Sequence, residues 1–518
     1  MLSTRVLMTP RPILAAFLLL SCWSAAEEAK PAEPGKKPEA KKEEQPKEEK
    51  PKEKAGRATI GGAEVKYLAQ TGTLPVLKDD GSPRASVFYI YYAATGEDGK
   101  RLAEKDPATR PITFFFNGGP GAAAVWLHLG GLGPRRVQMP PDGLSLPPGP
   151  RIVDNPHSLL DASDLVFVDP VATGLSRAAK GEKPEQFFGV DEDIEACGEF
   201  VRLFTTREQR WLSPKHLCGE SYGVMRVGGL VGYLQERHGM YFDGLMLMSG
   251  LISFQTLASD PGNDLPYILF LPGFTATAHY HARLAPELQA DFARTAAEAR
   301  TFAFGEYATA LLQGASLPPA ERQRVAEKVA RFTGLSVEQV TDHDLRIDAS
   351  YFREMLLRRE GKILGRFDAR VTAEDGDRSA SEPEFDPSFS NIVGPFAATV
   401  NAYLRSELGY ESDLPYKVLA PVRWRWEAFP GRYASVAPRL ASAMKNNPHL
   451  RVIVLSGLRD LAVPEDSMRH SLDHLKLPAA IRGNISWARY ESGHMMYLYE
   501  KDAAKLRNDL VGFIAGRR

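Results

Sequence analysis

Short apolar runs alternate with helical stretches along much of this chain. Residues 87–92, Ile112–Phe116, 164–169, 215–218, Gly244–Met248, 450–455 and Ile485–Tyr490 each have the length and composition of a strand. Residues 191–204, 224–235 and about 502–515 read as helices. That alternation predicts the α/β class: a mostly parallel, twisted sheet with helices on both faces. From about residue 251 to 440 the strand signal nearly vanishes. There Leu284, Leu288, Phe292 and Ala296 recur every four residues, and Val325, Val329 and Phe332 mark a helix that Gly334 ends. A mainly helical insertion, 251–440, therefore divides a core into 59–250 and 441–518.

Gly219-Glu220-Ser221-Tyr222-Gly223 stands where the strand at 215–218 turns into the helix at 224–235. Glycines at both ends leave room for a tight crossing, and the turn exposes the serine. This is the G-x-S-x-G elbow of α/β-hydrolases, with Ser221 as nucleophile. The pentapeptide also occurs in ordinary turns, and the strand–turn–helix context is what raises it.

A serine nucleophile needs a base, and the base needs an orienting carboxylate. Asp460 follows the run at 450–455, and His494 follows the run at Ile485–Tyr490. Of the eleven histidines, only His494 lies between the last strand and the last helix. An Asp after a strand is most often a turn former, and a His near a C-terminus most often a surface or satisfied core residue. Three residues in hydrolase order, each at a strand's end, outweigh those readings, so Ser221, Asp460 and His494 form the expected triad. Asn117-Gly118-Gly119-Pro120-Gly121 follows the strand Ile112–Phe116. It is either a plain Gly/Pro loop or an oxyanion loop whose N–H groups approach a developing negative charge.

Together, these two glycine-rich motifs resemble those of the serine carboxypeptidase family. So do Asp169-Pro170-Val171-Ala172-Thr173-Gly174-Leu175-Ser176, Gly457-Leu458-Arg459-Asp460 and Gly493-His494-Met495, in the same order from about residue 60 onward. The resemblance implies an α/β-hydrolase fold with a helical cap, in an exported bacterial member of the family. It implies that Gly119 and Tyr222 donate backbone N–H groups to the oxyanion. It also implies that Asn117 and Glu220 bind the free C-terminal carboxylate of a peptide substrate. Glu220 can do so only if a proton is present, because carboxylates in contact repel.

Two departures from the family matter. Ala122 stands where the family has a Cys, which removes a family disulfide. Gly131, ahead of Leu132-Gly133-Pro134, stands where the family usually has the Glu that pairs with the one aligned with Glu220. Arg135 and Arg136 follow, either as surface arginines or as substitutes that reach the substrate carboxylate. The same triad can also hydrolyse esters or pass an acyl group to an alcohol, and a catalytically silent hydrolase-fold binding protein is a further alternative.

Composition adds limits. With 518 residues, 43% of them hydrophobic, the chain can bury more than one core-sized unit. A formal net charge of −1 offers no global attraction for nucleic acid, and no cofactor or metal is implied. His279-Tyr280-His281 lacks carboxylate partners and reads as surface. Residues 1–22 read as a signal peptide: Arg5 and Arg11 precede the apolar run at 13–20. Leu19-Leu20-Ser21-Cys22 looks like a bacterial lipobox with Cys22 lipidated, the alternative being ordinary cleavage after Ala25 or Ala26. Either implies export to the cell envelope, periplasmic or extracellular, with membrane contact only through such an anchor. Residues 23–58 are expected to be a disordered Lys/Glu/Pro linker. Positions 27–54 alone hold nine Lys, nine Glu and five Pro, with no aromatic residue. If Cys22 is lipidated or removed, Cys197 and Cys218 remain, and two buried free thiols are expected.

Overall fold

The computed structural model describes residues 50–145, 149–426 and 431–516. Three long strands come first: β1 (Lys52–Ile60), β2 (Ala63–Leu77) and β3 (Pro83–Ala94). β1 pairs antiparallel with β2 from Lys52↔Thr71 to Ile60↔Ala63, and β2 pairs antiparallel with β3. The expected linker, 23–58, therefore overlaps a strand by seven residues, Lys52 to Ala58. Backbone pairing with β2 organises this stretch, whose first four residues are all exposed and bring little apolar surface of their own. Residues 1–49, and with them Cys22, the expected signal peptide and most of the expected linker, lie outside the described residues.

The strands that follow are β4 (Ile112–Phe116), β5 (Asp164–Val168), β6 (Lys215–Glu220), β7 (Gly244–Met248), β8 (Arg451–Gly457) and β9 (Ile485–Tyr490). Their order across the sheet is β1-β2-β3-β5-β4-β6-β7-β8-β9. Everything from β5 to β9 pairs parallel. Parallel strands need crossovers, and helices supply them on both faces. α1 (Val190–Arg207), α2 (Tyr222–His238) and α4 (Ala437–Asn446) pack on one face, while α3 (Pro387–Ser406) and α5 (Glu500–Ile514) pack on the other.

Side-chain alternation along the strands divides the core accordingly. Phe114 and Phe116 of β4, with Val452 and Val454 of β8, join the first face; Phe115, Ile453 and Leu455 join the second. A third core belongs to the insertion. Ile268, Phe274, Leu288, Val325, Val329 and Phe352 anchor it. The separately packed part is shorter than 251–440, because α3, α4 and the segment around Trp424 pack with the two sheet-face cores. The four-residue spacing from Leu284 to Ala296 is not one helix: Pro286–Gln289 and Phe292–Phe302 are separate, with Asp291 capping the second through Arg294 N.

Candidate active site

β6 ends at Glu220 and α2 begins at Tyr222, so Ser221 alone makes the turn, at φ 60° and ψ −128°. A non-glycine residue there stores roughly 1–3 kcal/mol of strain. The surroundings hold it: Ser221 N–H donates to the Met248 carbonyl at 3.0 Å. A Cβ on Gly219 would sit 2.2 Å from the Gly223 carbonyl oxygen, and one on Gly223 2.3 Å from that of Phe116. Only glycine permits this crossing, which gives the elbow its sequence.

Asp460 and His494 meet beside it, brought together by the loops after the neighbouring strands β8 and β9. His494 Nδ1 lies 2.7 Å from Asp460 Oδ2. The other oxygen, Oδ1, accepts from Ala462 N–H at 2.8 Å and Val463 N–H at 2.9 Å. Burial alone would lower the His494 pKa, but the Asp460 carboxylate outweighs it, and the net direction is upward from 6.5. Ser221 and His494 face a common cavity of about 530 Å³, and Gly118 and Gly119, two of the three glycines of the candidate oxyanion loop, line it. A Cβ on Gly118 would lie 2.5 Å from Tyr222 N, so this loop runs against the N-terminus of α2, where peptide dipoles favour an anion.

Asn117 is fixed from two sides. Its Oδ1 accepts from Leu127 N–H at 3.1 Å, which leaves Nδ2 to donate to Glu220 Oε2. Arg226 of α2 donates to the Asn117 carbonyl and binds Asp193 of α1 at 2.8 Å, tying both helices to the oxyanion loop. Glu220 is fully buried, and burial above all pushes its pKa up to about 7. Its second oxygen, Oε1, is buried without a hydrogen-bond partner among the described residues, although Glu220 lines the cavity.

The family model described as serine carboxypeptidase matches residues 70–291, which hold both glycine-rich loops and Ser221. Over these residues, less than half of its length, the chain is similar to the serine carboxypeptidase family. Serine carboxypeptidase-like 45 of Arabidopsis thaliana is 28% identical over 194 residues, 35% of this chain and 36% of that one. The lysosomal protective protein of Mus musculus is 27% identical over 188 residues, 36% of this chain and 35% of that one. The chain thus spans about a third of the length of these curated relatives. A prohormone-processing carboxypeptidase from Saccharomyces cerevisiae superposes with a TM-score of 0.52 at 15% identity, covering 87% of this chain and 91% of that chain. That likeness shows the α/β-hydrolase fold.

Against this serine carboxypeptidase background the departures acquire a structure. Cys197 and Cys218 are buried free thiols. Arg135 binds Asp154 and Glu407, and the buried Arg136 binds Glu500 at 3.0 Å. Neither arginine lines the cavity, so neither substitutes for the missing Glu. Instead Tyr497, three residues past His494, donates to Glu220 Oε2 at 3.1 Å. His279 and His281 direct ring nitrogens to the carbonyls of Gln289 and Ala369, at 3.0 and 2.7 Å.

Sequence reasoning missed the cavity's walls. Trp126 and Phe389 line the cavity, with ring centroids 5.9 Å apart. Phe367 stacks on the His494 ring at 5.0 Å, and its carbonyl accepts the His494 N–H at 2.6 Å. Arg366 adds a half-exposed cation at the rim. Phe367, Phe389 and Arg366 all come from the insertion, where no local motif marks them.

Proposed function

We propose that this protein is a serine-type carboxypeptidase that removes C-terminal residues from peptides through an acyl-enzyme on Ser221. The observation that carries the reading is the pairing of an oriented base with a buried acid in one cavity. Asp460 holds His494 in the tautomer whose Nε2 accepts the Ser221 proton, and Ser221 Oγ attacks the scissile carbonyl. The N–H groups of Gly119 and Tyr222 receive the oxyanion, each contributing roughly 3 kcal/mol to barrier lowering. His494 returns the proton to the leaving amine, and water then resolves the ester. Asn117 Nδ2 and protonated Glu220 receive the substrate's α-carboxylate, the open Oε1 being the acceptor-facing oxygen. The reaction as drawn uses protein groups and water alone.

The test compares a blocked dipeptide with a free C-terminus, its C-terminal amide and a matched ester. Cleavage of the free acid but not the amide is the expected result. Ester cleavage indifferent to the carboxylate would overturn the peptidase reading in favour of an esterase or acyltransferase, to which Gly131 lends support. Ser221→Ala should lower turnover on the order of 10⁴-fold or more and abolish fluorophosphonate labelling. A wild-type protein that takes no label would point to a silent binding protein.

We further infer export to the cell envelope, with Cys22 as a lipid anchor and the Lys/Glu/Pro segment as a tether of roughly 30 Å. No described helix is long and apolar enough to cross a membrane. Intact mass of the membrane fraction tests this: Cys22→Ser should lose the acyl mass, and an unchanged mass would favour cleavage near Ala25.

A further inference from the structure

Tyr497 occupies the space that a side chain at position 131 would need. A Cβ on Gly131 would lie 2.6 Å from both Cβ and Cγ of Tyr497, and one on Gly130 2.6 Å from its Cε2. The two glycines and the tyrosine are therefore one arrangement: the ring lies against Gly130 and Gly131 of the helical segment Trp126–Leu132, and its hydroxyl reaches Glu220. A glutamate at 131 and a tyrosine at 497 exclude each other sterically, and each delivers a hydrogen-bonding group to the same carboxyl.

The two solutions differ chemically. In a pair of carboxyls the proton is shared, and either partner can lose it. A phenol is a donor that keeps its proton across the working pH range. Resting on the carboxypeptidase reading above, we propose that Tyr497 is the positioning residue of the carboxylate subsite. It holds Glu220 Oε2 permanently as an acceptor, so that Oε1 alone carries the one exchangeable proton that meets the substrate carboxylate. The surroundings agree. Asn117 Nδ2 also points at Oε2, which leaves Oε1 as the free oxygen. The titratable groups facing Glu220 are His494, Asp460, Tyr497 and Cys218. Burial holds the Tyr497 hydroxyl well above its ordinary pKa and does the same for the Cys218 thiol, so neither exchanges a proton near neutrality.

A single gating proton has a signature. With Glu220 pushed up to about 7, the KM of a free-acid dipeptide divided by that of its ester should rise tenfold per pH unit above that value. Taking the ratio cancels His494, which serves both substrates. Tyr497→Phe keeps the ring over Gly131 and removes only the donor to the ionised carboxylate. The break should then move up by roughly 1–2 pH units, since a hydrogen bond to a charged group contributes about that much. At pH 8 the variant's KM for the free acid should fall roughly five- to tenfold below the wild type's, a gain that a merely loosened site would not produce. Fluorophosphonate labelling at the wild-type rate establishes that the triad is intact. A hundredfold rise per pH unit in the wild type would reveal two protons and overturn the inference without any variant. A break that Tyr497→Phe leaves in place overturns it while sparing the carboxypeptidase reading. A wild type that never separates acid from ester overturns both.

Discussion

Asp460→Asn isolates the tautomer argument from everything else in the site. The Asp460 carboxylate has distinct duties on its two oxygens. Oδ1 accepts two backbone N–H groups, from Ala462 and Val463, and Oδ2 accepts from His494 Nδ1 at 2.7 Å. An asparagine must place its carbonyl oxygen toward the two backbone donors. The flipped amide would set NH₂ against both and leave them unsatisfied, at about 1–3 kcal/mol each. With the carbonyl so fixed, the NH₂ group points at Nδ1 and requires a lone pair there. The imidazole proton then moves to Nε2, the atom that should accept from Ser221. A base presenting a proton in place of a lone pair should lower kcat on the order of 10⁴-fold, about 5.4 kcal/mol of barrier. Steady-state hydrolysis of the matched ester at neutral pH reads this directly, with KM little changed and the melting temperature close to wild type. Less than a tenfold loss would refute the claim that Asp460 selects the tautomer.

Arg226→Met strands the Asp193 carboxylate in the core and frees the Asn117 carbonyl, so urea unfolding should show a loss of about 3–5 kcal/mol; stability equal to wild type would contradict the tie between α1, α2 and the oxyanion loop. Gly223→Ala sets a methyl 2.3 Å from the Phe116 carbonyl oxygen, and the protein should lose fluorophosphonate labelling through displacement of Ser221; labelling at the wild-type rate would disprove the close crossing. The base must be neutral to accept a proton, and the His494 pKa is raised, so kcat on the ester should climb with pH and level off only above 6.5. A plateau already reached at pH 5.5 would count against the Asp460–His494 pairing.

The parts of the fold that were legible are those in which local sequence and tertiary structure make the same demand. Ile112–Phe116 and Gly244–Met248 are buried on both faces, so an unbroken apolar run suffices to announce them. Of the strands ahead of Ser221, Asp460 and His494, the first two are buried along most of their length, while Ile485–Tyr490 is largely half-exposed. The three residues were legible because each follows the C-terminal end of a parallel strand, and strand order brings the last two side chains together. Tyr497 was not, since its role depends on the absence of a side chain at Gly131, 366 residues away along the chain. Phe367 and Phe389 escaped for a related reason: aromatic residues in a helical insertion look alike whether they fill its own core or face a cavity. The segment Lys52 to Ala58 was misread because composition predicts disorder from too little burial, whereas a strand can be recruited by main-chain pairing with an established neighbour.

That recruited strand also guards the sheet. β1 is the outermost member, and Lys52, Glu53, Lys54 and Arg57 give its margin a dense alternation of charge. A second copy approaching this rim would have to set ammonium and carboxylate groups into an unscreened seam, which makes the rim a poor template for strand addition. Were the chain shortened past Ile60, the new rim would be Ala63–Leu77, whose central residues Ala69 to Leu74 are built for enclosure. Clipping what looks like a dispensable charged tail would thus uncover an adhesive border and favour sheet-to-sheet association, even with every group around Ser221 still in place.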